Sequence, residues 1–193
     1  MKVMGYGDIP NRIYHVPAGI QERVNEQWQR WWAHPWRDES DRSLSAILSI
    51  IPDPSNIAFL DLGCGSNPIQ GGADAPCGDL SYINDGNYPV LPLIIQILGA
   101  KVIGVDHGDY VEGYFPFARR DLCQHGSLDF IPNHSIDLAH AGYLFNSPTL
   151  RRLGHDSKKL QEILLPQLER IVKPEGYFLH SGMSTEFEDD FAL

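Results

Sequence analysis

Apolar residues along this chain come in two textures: short continuous runs, and longer stretches in which they recur every three or four positions. The continuous runs are Ile57–Leu62, Lys101–Asp106, Ser135–His140 and Tyr177–His180, with a weaker one over Phe115–Leu122. Runs of this length, bounded by turn-forming residues, predict strands buried on both faces. The periodic stretches predict helices. Ile20–Trp36 carries Val24, Trp28, Trp31 and Trp32 on one stripe, and Pro35 ends or kinks it. A second helix starts near Ser40 or Asp41 and runs through Leu44, Ile47, Leu48 and Ile51 before Asp53-Pro54-Ser55-Asn56 breaks the chain. Pro92–Leu98 reads as a short buried helix closed by Gly99. A last amphipathic helix presents Leu160, Ile163, Leu164, Leu168, Ile171 and Val172, is interrupted by Pro166 and ends at Lys173-Pro174-Glu175-Gly176.

Strands alternating with helices predict right-handed crossovers and an α/β fold with a mostly parallel sheet of about five strands. Residues 1–52 form a helical lead-in that caps the sheet, and 57–181 its core, within one domain spanning 1–193. Between the first strand and the short buried helix lies a stretch rich in Gly, Pro, Asn and Asp, covering 67–89. A loop of that length within a compact domain is uncommon and often functional, so it is expected to act as a lid or substrate wall.

Composition narrows the function. The 193 residues suit one domain with a substantial core, at 42% hydrophobic and 21% charged. No apolar run spans a bilayer, and Met1-Lys2-Val3-Met4-Gly5 lacks the apolar core of a signal peptide, so a cytoplasmic location and no membrane partner are expected. The net charge of −10 argues against general nucleic-acid binding, which needs a basic surface. Arg151, Arg152, Lys158 and Lys159 cluster, but read more simply as a solvated face at a helix start. Cys64, Cys77 and Cys123 are odd in number and unevenly spaced, which fits reduced thiols and no metal site.

Chemistry concentrates where the first strand ends, at Phe59-Leu60-Asp61-Leu62-Gly63-Cys64-Gly65. A carboxylate at the tip of a buried strand followed by Gly-x-Gly suits close approach of backbone to a small molecule. This segment resembles the first motif of class I S-adenosylmethionine (SAM)-dependent methyltransferases. Asp106 at the end of the second strand is similar to the family's ribose-binding acid. Asp121-Leu122 resembles the segment that meets the adenine, and Ile136–His140 the strand that passes the methionine side. The last helix and its Lys-Pro-Glu-Gly turn resemble the family's late helix, so the likeness covers residues 57 to 181.

The resemblance implies a three-layer Rossmann-like sandwich with strand order 3-2-1-4-5. It implies SAM as cofactor, S-adenosylhomocysteine as product, and Asp61, Gly63, Cys64, Gly65, Asp106, His107, Asp121, Leu122 and His140 as cofactor-binding residues. In-line methyl transfer asks the protein mainly to align a small-molecule acceptor and exclude water. Where the acceptor carries a proton, a base is wanted; His140 is the first candidate and Tyr143 the second, with His180 and His107 behind them. Trp31, Trp32, Tyr88 and Tyr143 are candidates for the acceptor's walls, the tryptophans equally for core anchors. A SAM- or product-binding protein without methyl transfer is the alternative. A NAD oxidoreductase is disfavoured by Pro68, which stands where the third glycine of a dinucleotide fingerprint belongs. The chain ends soon after the fifth strand, whereas the family adds strands six and seven. The open edge is expected to be covered by a partner copy in a homodimer, by the N-terminal segment 1–16, or by further sequence.

Overall fold

A computed structural model describes residues 1–27, 37–65, 89–108, 113–142, 144–147, 150 and 154–181. The strands are β1 (Lys2–Gly5), β2 (Ala58–Leu62), β3 (Lys101–Asp106), β4 (Phe117–Arg119), β5 (Ile136–Ala141) and β6 (Val172–His180). The helices are α1 (Ala18–Gln27), α2 (Arg37–Ile50), α3 (Val90–Ile97) and α4 (Ser157–Ile171), with a 3-10 turn at Tyr6–Asp8. The six strands form one sheet in the order β4-β3-β2-β5-β6-β1, and every neighbouring pair is parallel.

Side-chain alternation divides the core into two. Phe59, Val102, Leu138 and Leu179 point to one face of the sheet, where they meet Val24 of α1, Leu44, Ile47 and Leu48 of α2, and Ile94 and Ile95 of α3. Leu60, Leu62, Val105, Ala139 and Phe178 point to the other, under Leu160, Leu164, Leu168 and Ile171 of α4. Helices therefore cover both faces in a three-layer α/β sandwich, which explains why the central strands read as continuous apolar runs.

Three expectations are corrected. The lead-in begins with a strand: β1 pairs with β6, Lys2 opposite Tyr177 and Gly5 opposite His180. The sheet has six strands rather than about five. The open edge of the fifth strand, by contrast, is covered as one of the three expected alternatives has it, by the N-terminal segment 1–16 of the same chain, which supplies β1. β1 was illegible because four residues, the first two exposed, leave no period to read. Finally, α4 continues through Pro166, since the burial of Leu160, Ile163, Leu164, Leu168 and Ile171 holds it together despite the missing N–H.

Other boundaries shift modestly. α2 begins ahead of Ser40, and the expected Lys173–Gly176 turn lies inside β6 as a register shift, Ile136 opposite Val172 but Leu138 opposite Tyr177. Gly176 sits there because a Cβ would stand 2.8 Å from the Asp137 carbonyl oxygen. Trp28, Trp31, Trp32 and Trp36, most of the 67–89 loop, Arg151 and Arg152 lie outside the described residues. Among the described residues no helix is long and apolar enough to cross a membrane.

Candidate functional site

Because all the strands are parallel, their carboxyl ends share one edge of the sheet. In open α/β sheets ligands bind along that edge, above all where the winding changes direction. Here that point lies between β2 and β5.

On leaving β2 the chain turns sharply through Gly63 and Gly65, with φ of 67° and 91°. Only glycine takes such angles cheaply. The turn is anchored by Gly63 N–H donating to the Val105 carbonyl at 2.8 Å. A cleft opens beside it. Its lining brings together Gly63 and Gly65 from the turn, Asp106 and His107 at the end of β3, and Arg120, Asp121, Leu122 and Cys123 after β4. Leu144, Ser147, Leu150 and Leu160 close the far side.

Asp106 ties the two sides of this cleft. Its Oδ2 accepts the Gly65 N–H at 3.0 Å, while Oδ1 accepts the Gly108 N–H at 3.1 Å and lies 3.0 Å from His107 Nδ1. Burial alone would push its carboxyl up, but the bonds from His107, Gly108 and Gly65 outweigh that and hold it below the usual range. An anionic acceptor is thus fixed at the cleft wall. Asp121 is built into a turn, accepting from Cys123 N–H at 2.9 Å and Gln124 Nε2 at 3.0 Å. Burial and Asp121 push the Cys123 thiol up to about 11. Burial, Asp61 and Asp106 push that of Cys64 well above its ordinary value. Neither sulfur is a thiolate nucleophile at neutral pH. Among the described residues no cluster of three or more His, Cys, Asp or Glu is arranged to hold a metal.

Of the sequence-derived cofactor residues, the cleft gathers Gly63, Gly65, Asp106, His107, Asp121 and Leu122, and omits Asp61, Cys64 and His140. Asp61 and His140 instead face the same side of the sheet as Phe59 and Leu138. They are register partners on β2 and β5, 3% and 2% exposed. His140 Nδ1 lies 2.7 Å from Asp61 Oδ1, and Nε2 lies 2.6 Å from Tyr6 Oη, which is itself 2.8 Å from Ser43 Oγ. Burial pushes the Asp61 carboxyl above its ordinary range, and the charge and hydrogen bond of His140 pull it partly back. Asp61 thus has another buried polar side chain, His140, as its partner. His180, at the end of β6, is also buried, and its Nδ1 has no partner among the described residues.

Trp31, Trp32, Tyr88 and Tyr143 lie outside the described residues. Sequence reading missed Tyr6 and Ser43, whose only signals are a tyrosine after a strand too short to recognise and a serine beside the apolar stripe of α2. It also missed Arg120 and Ser147, which sit in loops without periodicity. No protein-family model matches this chain, and no curated protein matches it.

Proposed function

We propose that the protein is a SAM-dependent methyltransferase that acts on a small-molecule acceptor. The observation that carries this reading is the cleft at the carboxyl edge, where a glycine turn, an ionised strand-end carboxylate and the Asp121-Leu122 turn converge. The residues suit such a cofactor. Gly63 and Gly65 present backbone without side chains, and among the described residues Asp106 meets three donors, which leaves one of a carboxylate's roughly four lone-pair sites for a ligand. Gly63, Gly65, Asp106, His107, Asp121 and Leu122 would hold it. Bound SAM would supply a methyl group on a positively charged sulfur. The chain's own residues bind and orient it, and Leu122, Leu144, Leu150 and Leu160 keep water from one wall.

A second reading, a SAM- or product-binding protein without methyl transfer, is favoured by one observation: His140, the first candidate for a base, does not line the cleft. Calorimetric titration with S-adenosylhomocysteine tests what the two readings share. Micromolar binding is expected, weakened about tenfold or more in Asp106→Ala through loss of a charge-assisted hydrogen bond. Absence of binding would sink both. Radiolabelled methyl transfer from SAM to a panel of acceptors separates them.

A further inference from the structure

We infer that Arg120 is a further cofactor-binding residue, whose guanidinium is the face on which the cofactor's adenine stacks, with Phe130 as its positioning residue. This rests on the methyltransferase reading and adds to it the group that selects the purine.

The backbone sets Arg120 beside the acid that the methyltransferase reading gives to the ribose. β3 and β4 pair with Asp106 opposite Arg119, and the Arg120 N–H donates to the Asp106 carbonyl at 2.8 Å. Arg120 itself lines the cleft, together with His107 and Asp121. Two contacts hold its guanidinium. Nη1 donates to the Arg119 carbonyl at 2.8 Å, and the central carbon lies over the Phe130 ring, 5.4 Å from its centre. Phe130 is 43% exposed, so it offers this ring at the surface rather than in the core. Among the described residues no carboxylate pairs with Arg120.

A guanidinium is planar and weakly hydrated, and it stacks on aromatic faces more readily than a lysine ammonium does. Such a plane can take a π system on each of its two faces, and Phe130 takes one.

Anion recognition is the rival role for this cation, and the charges around it oppose that role. Asp106 and Asp121 line the same cleft, so an anionic group brought to Arg120 would face two carboxylates. A neutral purine meets no such repulsion. Its exocyclic amine finds an acceptor in Asp121, whose two oxygens each take one donor among the described residues and keep capacity for another. Leu122, Leu150 and Leu160 supply an apolar wall to the same space.

Titrating S-adenosylhomocysteine into wild type and variants separates a flat face from a charge. Arg120→Ala is expected to weaken binding about tenfold or more, as loss of one stacked base does. Arg120→Lys keeps the charge without the plane and is expected to lose as much. Phe130→Ala is expected to weaken binding about threefold alone and to add nothing to Arg120→Ala. The ultraviolet absorbance of the adenine is expected to fall on binding to wild type, and to fall less at saturation with Arg120→Ala. A purely structural defect would leave that difference unchanged, and the melting temperature of Arg120→Ala is expected within about 2 °C of wild type. Full affinity in Arg120→Ala or Arg120→Lys, additive losses in the double variant, or equal absorbance changes would each overturn the stacking role alone. Failure of the wild-type chain to bind S-adenosylhomocysteine would instead overturn the reading beneath it.

Discussion

Asp61 and His140 face each other across the point where the sheet changes its direction of winding, carboxylate oxygen to imidazole nitrogen at 2.7 Å, both almost fully buried. Taking such groups from water is costly unless each satisfies the other, and removing one partner strands the second. His140→Ala is therefore expected to cost about 3–5 kcal/mol in urea unfolding. Combining it with Asp61→Asn should cost less than the sum of the two single changes. Additive losses would mean that the pair is not energetically coupled.

His180 should make stability depend on mild acid. Burial holds its pKa below the ordinary histidine value, with His140 acting in the same direction and Asp8 against it. The unfolded chain then takes up a proton near pH 6.5 that the folded chain refuses. Stability from this source is present above that pH and lost as pH falls through it toward the lower folded value. The melting temperature is expected to drop between pH 7.5 and 5.5, and to drop less in His180→Leu. Parallel slopes for the two proteins would refute this.

Gly104 has no room for a methyl group. A Cβ there would lie 2.6 Å from Phe115 Cε2 and 2.9 Å from Cys64 Sγ, so Gly104→Ala is expected to cost about 1–3 kcal/mol. Adding Cys64→Ala should return part of that loss, which chemical denaturation of the three variants would reveal.

Gln167 fastens the stretch between β4 and β5 to α4. Its Oε1 accepts the Leu128 N–H at 3.0 Å while its Nε2 donates to the Ile163 carbonyl, also at 3.0 Å. Gln167→Leu leaves a buried N–H unsatisfied, and a loss of about 1–3 kcal/mol is expected. Faster amide exchange at Leu128 would locate the damage; unchanged exchange and stability would show that Leu128 finds another acceptor.

The central strands were legible because a strand covered on both faces must be apolar throughout, as Phe59, Leu60 and Leu62 are. The glycine turn was legible because its conformation excludes other residues. Side-chain direction was harder to read. Asp61 stands on the opposite face from Leu60 and Leu62, and its own residue type gave no sign that a histidine lay beside it. That proximity depends on the register of β2 against β5, which pairs residues 79 positions apart. Tyr6 depended on more still, since its strand is held only by tertiary pairing, and local pattern carries no trace of that.

The pairing of β1 with β6 has a temporal side. The Met1 ammonium donates to the Pro174 carbonyl across 173 positions of sequence, one of the longest loops this chain can close. Closing such a loop costs entropy that no local contact returns, so the edge strand is expected to join the sheet late. During synthesis β1 leaves the ribosome well before β6 and must wait for it, and Tyr6 waits with it. A nascent chain can thus form its glycine turn and much of its core before its phenol reaches the imidazole.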